Sequence, residues 1–348
     1  MKSTVIKICR LLILIDAAVL LFFSTALVSQ EQKHDLFFEK ISKAYAHLPY
    51  QATLTFQRIE EDNITSRYAE RTIVLGPEKR WYRILLPERY EDRDYVHIGD
   101  FIYTRFVDSD SIRVQRRSPF TGIFSNANEA DEIVLLKSNY SIKFIREEKV
   151  EGRLADVVKI SPRLRDRSSI KIWVDRDNGF IYRLEKFDID HNKLYQACAE
   201  EVAFNPDVDE SLFDVRYTGE LPSAAERETY DSIAELMQDI KTPLMVLRQT
   251  PPGFILDKII ATHRPNKTSV QFYYKDGLTA LSFFQHFSED EKEDMKILWK
   301  LLDGSKQFRA TIDHVTCTLQ SDLPEDTMKA LFDSLKLVKK EEDLGELR

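Results

Sequence analysis

The residues that could do chemistry are few and scattered. Seven histidines are spread over 348 residues, and the tightest grouping with metal-ligating side chains is Asp188, Asp190 and His191. Asp and Asn are also the residues a hairpin tip demands, so this cluster reads as a turn before it reads as a metal site. His97 and His286 fall within strand-like runs and read as sheet histidines. The carboxylate pairs Glu60-Glu61, Glu147-Glu148 and Glu200-Glu201 are adjacent in sequence, whereas a glycosidase needs two carboxylates facing each other across a cleft. The chain holds no G-x-G-x-x-G or Walker-type loop, no G-x-S-x-G elbow and no H-E-x-x-H pair, which removes the local signatures of nucleotide, serine-nucleophile and zinc chemistry. A hydrolase assembled from distant residues stays open as a reading. The expected role is non-enzymatic, with no cofactor and no metal.

What the sequence offers instead is binding surface. Aromatic residues concentrate in the first half of the chain, and Phe56, Trp81, Phe101, Tyr103, Trp173 and Tyr182 are the candidate ligand-binding set. On one face of a curved sheet such residues would hold an acyl chain or an apolar peptide; the alternative for each is a place in the core beneath amphipathic helices. Arg71, Lys79, Arg80 and Arg83 are interleaved among them and could meet an anionic head group.

The elements that must position these residues follow from hydrophobic periodicity. Leu36, Phe37, Ile41, Ala44, Tyr45 and Leu48 recur at helical spacing after Asp35 and stop at Pro49, which predicts one amphipathic helix. Alternation then changes to period two, and strands are predicted at Ala52 to Phe56, Arg71 to Leu75, Arg80 to Leu86, Tyr95 to Phe106, Ser141 to Ile145, Ala155 to Ile160, Ser169 to Val174, Phe180 to Phe187 and Leu194 to Phe204. Asp175 to Gly179 and Asp188 to Asn192 supply turns between strands. Residues 107–132 read as a long loop or a short helical excursion. From Pro222 a helical pattern runs through Ile233, Leu236 and Met237, forming a connector. A second β region begins at Thr250, with strands at Ile255 to Thr262, Ser269 to Tyr274, Leu278 to Phe287 and Phe308 to Leu319. Helices are predicted over Ser288 to Leu302, with a Ser288/Glu291 capping box, and over Pro324 to Leu337.

Composition bounds the rest. The chain is 43% apolar and 11% aromatic, so it can bury a core, and its net charge is −8; an acidic chain is a poor ligand for nucleic acid or an anionic membrane. Lys2, Lys7 and Arg10 precede an apolar run from Leu11 to Val28. That is the pattern of a secretory signal, with Ser24 and Ala26 offering a cleavage point. An uncleaved anchor is the alternative, opposed by Asp16, whose burial at mid-membrane costs about 2.5 to 3.5 kcal/mol. Export leaves Cys198 and Cys317, read as two buried thiols and not as a disulfide framework.

Three stretches resemble the MucB/RseB family of periplasmic regulators of envelope-stress sigma factors. Ala44-Tyr45-Ala46-His47-Leu48-Pro49-Tyr50-Gln51-Ala52-Thr53 is similar to the family's helix-to-strand junction. Val150 to Pro162, followed by Ile172-Trp173-Val174-Asp175 and Asn178-Gly179, resembles its most recognisable pattern. Pro251-Pro252-Gly253-Phe254 and Tyr274-Lys275-Asp276-Gly277-Leu278 resemble its P-P-G-F entry and Y-S-D-G-L hairpin. Lys275 stands where the family has serine, Leu244 to Leu247 occupy the place of a tryptophan, and residues 288–302 look inserted. The resemblance implies an α+β, β-rich protein: a signal peptide over 1–29, a curved antiparallel half-barrel of the lipoprotein-carrier (LolA) type over 33–215, a connector over 216–249 and a smaller sheet-and-helix domain over 250–340. It also implies a periplasmic protein that binds a transmembrane anti-sigma factor and shields it from proteolysis until a lipid or lipopolysaccharide-like ligand displaces it. A periplasmic lipid or lipoprotein carrier is the alternative.

Overall fold

Period-two alternation from residue 50 onward is realised as two large antiparallel sheets and one two-stranded pair. The computed structural model describes residues 33–339 except 110, 117–129, 165, 223–225, 241, 265–266, 288–296, 301–304 and 313–314; the signal segment expected over 1–29 lies outside the described residues. Helix α1 covers residues 33–47. The first sheet then forms from β1 (Tyr50–Glu60), β2 (Asn63–Gly76), β3 (Lys79–Leu86), β4 (Arg93–Ile98), β5 (Phe101–Phe106) and β6 (Ile112–Arg116). After helix α2 (Ala130–Asn139) come β7 (Tyr140–Val150), β8 (Arg153–Pro162), β9 (Ser169–Asp175), β10 (Ile181–Phe187) and β11 (Lys193–Phe204).

The order β6-β5-β4-β3-β2-β1-β11-β10-β9-β8-β7 leaves β6 and β7 as edges, so the sheet is open and not a closed barrel. Two meanders meet where β11 returns beside β1, with Thr55 opposite Cys198 and Phe56 opposite Ala197. Local chemistry enforces the meander. The β1–β2 and β7–β8 connections are two-residue turns at positive φ, Glu61-Asp62 (49° and 63°) and Glu151-Gly152 (49° and 78°), the backbone that matches the twist of paired strands. The sequence run Tyr95 to Phe106 is divided into β4 and β5 by Gly99 at φ 53°.

Helix α1 buries Phe37, Ile41 and Ala44 of the expected apolar set together with Phe38, while Leu36 and Tyr45 of that set are exposed. Phe37, Phe38 and Ile41 join Leu136 of α2 and Val158, Ile160, Ile170, Ile172 and Leu184 of the strands in one core. The expected helix-bearing, β-rich half-barrel is therefore what the chain forms. The Asp175-to-Gly179 turn closes the opposite end of β9. Its Asp175 carboxylate, fully buried, accepts from Arg153 Nε at 2.6 Å, the Tyr182 hydroxyl at 2.9 Å and the backbone N–H groups of Asp177 and Asn178 at 2.9 and 3.0 Å. Burial opposes this charge, but these donors outweigh it and hold the carboxyl below its ordinary value. A lowered folded pKa means that the stabilisation is complete above the unfolded value of about 4 and is lost as pH falls through the folded one. Asp175→Asn should accordingly flatten the acid limb of a urea-midpoint against pH curve while lowering the midpoint at pH 7.

The second sheet is built from β12 (Glu226–Tyr230), β14 (Ile255–Arg264), β15 (Lys267–Lys275), β16 (Ala280–Phe287), β17 (Ile297–Lys300), β18 (Lys306–Ile312) and β19 (Val315–Ser321), in the order β12-β14-β15-β16-β19-β18-β17. Helix α3 (Ile233–Asp239), strand β13 (Leu244–Leu247), helix α4 (Glu325–Asp333) and strand β20 (Leu335–Val338) complete it, β13 pairing with β20. Leu236, Leu244, Met328 and Phe332 from these pieces pack on Phe272 and Phe283 of the sheet.

Four expectations need correction here. The helical pattern from Pro222 is cut into strand β12, which pairs with β14, and a helix of only seven residues, α3; within the segment 216–249, expected as a connector, Glu226–Tyr230 joins the second sheet and Leu244–Leu247 pairs with β20. In the expected helix Ser288 to Leu302, residues 297–300 form β17 against β18, and 288–296 and 301–302 lie outside the described residues. The last helix ends at Ser334, and Leu335 to Leu337 turn into β20. In the loop expected over 107–132, residues 112–116 form edge strand β6 and α2 begins at Ala130.

Candidate functional site

Alternation along each strand assigns the candidate aromatics to faces, because a step of one residue changes face. Phe56 packs on the α1-covered core, which fixes its side as the helix side. From Phe56 the register carries this face outward through Leu54 and Glu70, Thr72 and Tyr82, Tyr82 and Tyr95, and Arg80 and His97. Trp81, Phe101 and Tyr103 have the opposite parity. Trp81 faces Ile73 and Val96, and with Phe213 it forms a core on which Tyr103, Leu212 and Val215 pack. Trp173 and Tyr182 sit in a third cluster with Ala155, Val157 and Phe180, each with its polar tip satisfied: Trp173 Nε1 donates to Glu148 at 3.2 Å and Tyr182 to Asp175.

The six candidates therefore line no common surface. Phe56 keeps the helix side. Phe101 lies on the outer face beneath the Arg116 guanidinium, 5.3 Å from its ring. Trp81, Trp173 and Tyr182 are core, and Tyr103 is an outer-face residue covered by the chain after β11, where its ring meets Tyr217 at 6.3 Å.

The residues that do share the helix-side face of β1 to β4 are Tyr50, Tyr68, Glu70, Arg80, Tyr82 and Tyr95, with His97 beside them. Arg80 pairs with Glu70, whose side chain is 5% exposed, and its Nε donates to Thr72 Oγ1 at 3.0 Å. The Tyr68 hydroxyl donates to the other Glu70 oxygen at 2.8 Å. The Arg80 guanidinium lies 4.8 Å from the Tyr82 ring, Tyr82 stacks on Tyr95 at 4.7 Å and 6°, and His97 meets Tyr82 edge-on at 5.4 Å. Burial, joined by the Glu70 charge, pushes the Tyr68 phenol far up, and burial raises Tyr82 to about 12. At neutral pH the strip therefore presents uncharged phenols around one fixed ion pair. Burial opposes the Arg80 charge and Glu70 more than restores it. Such a face can hydrogen-bond a polar head while Phe56 continues it toward the apolar core under α1. The sequence signal was available as Tyr68-x-Glu70-x-Thr72 and Arg80-x-Tyr82, a period-two polar and aromatic set; its face was not.

A second arrangement joins the two sheets. Asp276, fully buried in the turn between β15 and β16, pairs with Arg167, whose side chain is 2% exposed. Tyr140 at the start of β7 donates to the same oxygen of Asp276 at 2.6 Å, and Leu278 and Thr279 N–H donate to the other at 3.0 and 2.6 Å. Asn139 Nδ2 donates to the carbonyls of Asp276 and Gly253, each at 2.9 Å, and Arg167 to that of Pro252 at 2.5 Å. Around this centre Lys186 pairs with Asp322 at 3.0 Å and Lys275 with Glu132 at 2.6 Å. Gly277 has φ +95°, and a Cβ there would stand 2.4 Å from the backbone nitrogen of Leu136 in α2. Glycine is needed for both the conformation and the approach.

The cysteines carry no comparable chemistry. Cys317 is fully buried and burial raises its thiol to about 12; Cys198 is half-buried, accepts from Gln196 Nε2 at 3.2 Å and is also raised by burial. The thiolate is the reactive form, so Cys317 should resist a disulfide-exchange reagent such as DTNB until the protein unfolds, with mass spectrometry locating any adduct. The cluster Asp188, Asp190 and His191 is a turn: Asp188 Oδ1 accepts from the N–H groups of Asp190 and Asn192 at 2.9 and 2.8 Å.

The model of the MucB/RseB amino-terminal domain matches residues 34–217, which run from α1 through all eleven strands of the first sheet. The chain belongs to the MucB/RseB family. Three solved structures extend the likeness to both sheets. The complex of Pseudomonas aeruginosa MucA and MucB is 15% identical and covers 87% of this chain and 98% of its own, with a TM-score of 0.58. MucB with MucA(peri) gives 16% identity, 86% and 97% coverage and a TM-score of 0.56. MucB itself gives 14%, 87% and 98%, and 0.52. A search of curated proteins finds no match. The family's motifs now have places in the fold: Val150 to Pro162 spans the β7–β8 hairpin, and Pro251 to Phe254 and Tyr274 to Leu278 form the second sheet's side of the junction. Lys275, the departure from the MucB/RseB pattern, is paired with Glu132 of α2 and with Asp257 at 2.5 Å.

Proposed function

We propose that this protein is an exported, non-enzymatic regulator: it binds the periplasmic part of a transmembrane anti-sigma factor, shields it from proteolysis and yields it when a lipid or lipopolysaccharide-like ligand occupies the helix-side face of the first sheet. Membership of the MucB/RseB family carries the reading. It is supported by the fold shared with MucB, two of whose structures hold MucA. The first unit, residues 33–215, is the ligand-sensing part, with Phe56, Tyr68, Arg80 and Tyr82 at its face. The sheet-and-helix unit over 250–340, extended back to 226 by β12, is the partner-docking part. Residues 1–29 act as the export signal, and among the described residues no helix is long and apolar enough to cross a membrane. Purification of the tagged protein from envelopes in mild detergent should recover a single-pass membrane regulator; recovery of none would count against the proposal.

The phenol-lined face, contained wholly within the first sheet, favours a second reading as a periplasmic lipid or lipoprotein carrier. Both readings expect copurified lipid on mass spectrometry. Only a carrier delivers it to acceptor vesicles.

A further inference from the structure

Buried and nearly buried ion pairs join the two sheet units, beside Leu278 in the first unit's core and Arg167 at 4.9 Å from the Phe254 ring. Arg167–Asp276 is sealed from solvent, and Lys186–Asp322 has side chains only 9% and 8% exposed. An ion pair taken out of water gives little net stabilisation, because desolvation offsets most of the attraction. It does impose geometry, since any sliding leaves a charge buried without its partner. A junction of this kind has one good arrangement.

One short segment ties the junction to the ligand-sensing unit. The turn 275–279 supplies Lys275 and Asp276 to the pairs, Gly277 to the contact with α2, and Leu278 to the same core that holds Phe38, Leu136 and Tyr140. Helix α2 shares the arrangement, with Leu136 in that core, Glu132 on Lys275 and Asn139 on Asp276. An apolar chain entering this core on the α2 side must contend with Leu278 and Leu136 for the same space. It cannot move either without disturbing the Asp276 contacts.

We infer that the turn 275–279 is a latched plug: it occupies one end of the first unit's core, is held by Arg167, Tyr140 and Asn139, and is expelled when a single-chain lipid enters, which frees the second unit to change its orientation. The inference rests on the proposed ligand reading for its trigger, while the latch itself stands on the junction alone. The amides of Leu278 and Thr279, both donating to Asp276, report the latch directly.

Hydrogen exchange with mass spectrometry on the full chain, alongside small-angle scattering, tests it. In the wild type the 275–287 and 130–144 peptides should open together, and more readily than β8 and β9. Arg167→Met should make both exchange about tenfold faster or more, with a larger radius of gyration. Adding Asp276→Asn to Arg167→Met, which removes the lone buried charge and keeps an acceptor for Leu278 and Thr279, should recover part of the lost protection. If Arg167→Met leaves the two peptides protected, the latch is wrong. If that variant unfolds outright, the wild-type exchange pattern decides, and opening of the two peptides only together with β8 and β9 overturns the latch. Lauroyl lysophosphatidylethanolamine, added below its micellar concentration with binding followed by tryptophan fluorescence, tests the trigger. It should deprotect both peptides in the wild type and add little in Arg167→Met, where the latch is already open. Binding without deprotection overturns the coupling and leaves the ligand reading intact. Failure to bind removes the ligand reading and with it the trigger, while the variant arm still judges the latch.

Discussion

Asp276→Ala is expected to destabilise the docked protein by about 3 to 5 kcal/mol, because it strands the Arg167 guanidinium in a site closed to water. The loss exceeds that of a typical surface ion pair for a definite reason: the side chains of Arg167 and Asp276 are 2% and 0% exposed, and the alanine variant also removes the acceptor of the Tyr140 hydroxyl and of two backbone N–H groups. Asp276→Asn should lose less, since an amide oxygen still accepts from Leu278 and Thr279. A urea titration followed by far-UV circular dichroism reads both. The alanine variant should show an earlier and broader transition, as the two units cease to support each other. A midpoint within error of the wild type would mean that the pair contributes nothing.

Trp81→Ala should cost a further sort of stability, again about 3 to 5 kcal/mol, through the cavity left between Ile73, Val96 and Phe213. Trp81 is 6% exposed, and it lies on the face away from α1. Trp81→Phe should recover most of the loss, because the ring volume is largely kept and Trp81 Nε1 has no hydrogen-bond partner among the described residues. Thermal unfolding of the pair of variants checks this. A stable Trp81→Ala protein that had lost lipid binding would return Trp81 to the ligand face and contradict the assignment made here from register.

The elements that were legible in the sequence are those whose burial pattern is local. Helix α1 follows from Phe37, Ile41 and Ala44 at helical spacing with Pro49 behind them. Most strands of the first sheet follow from alternation punctuated by Asp175 to Gly179 and Asp188 to Asn192; the turns at Glu61-Asp62 and Glu151-Gly152 emerge only from the backbone. Where the reading erred, a distant partner overrode local preference. Glu226 to Tyr230 carries helix-compatible residues and is held extended by β14, whose paired residues lie 29 to 37 positions away. Leu335 to Val338 continues the apolar spacing of α4 but is drawn off as a strand by β13.

The candidate site was harder for a related reason. Trp81 and Tyr82 are neighbours in sequence and lie on opposite faces, and composition gives no hint which face α1 will cover. The junction was half visible. The Pro251-to-Phe254 and Tyr274-to-Leu278 motifs stood out as patterns, but their role depends on Arg167 and Tyr140, 109 and 136 residues from Asp276. No spacing rule connects residues that far apart.

The central claim is that this chain binds an anti-sigma factor. Calorimetric titration of the purified protein with the periplasmic segment of the single-pass membrane regulator recovered with it from envelopes tests this most directly. The account expects saturable binding with a Kd of about 10 μM or tighter, and slower digestion of the segment by protease once bound. No saturable heat, with digestion proceeding at the rate of the free segment, would contradict it.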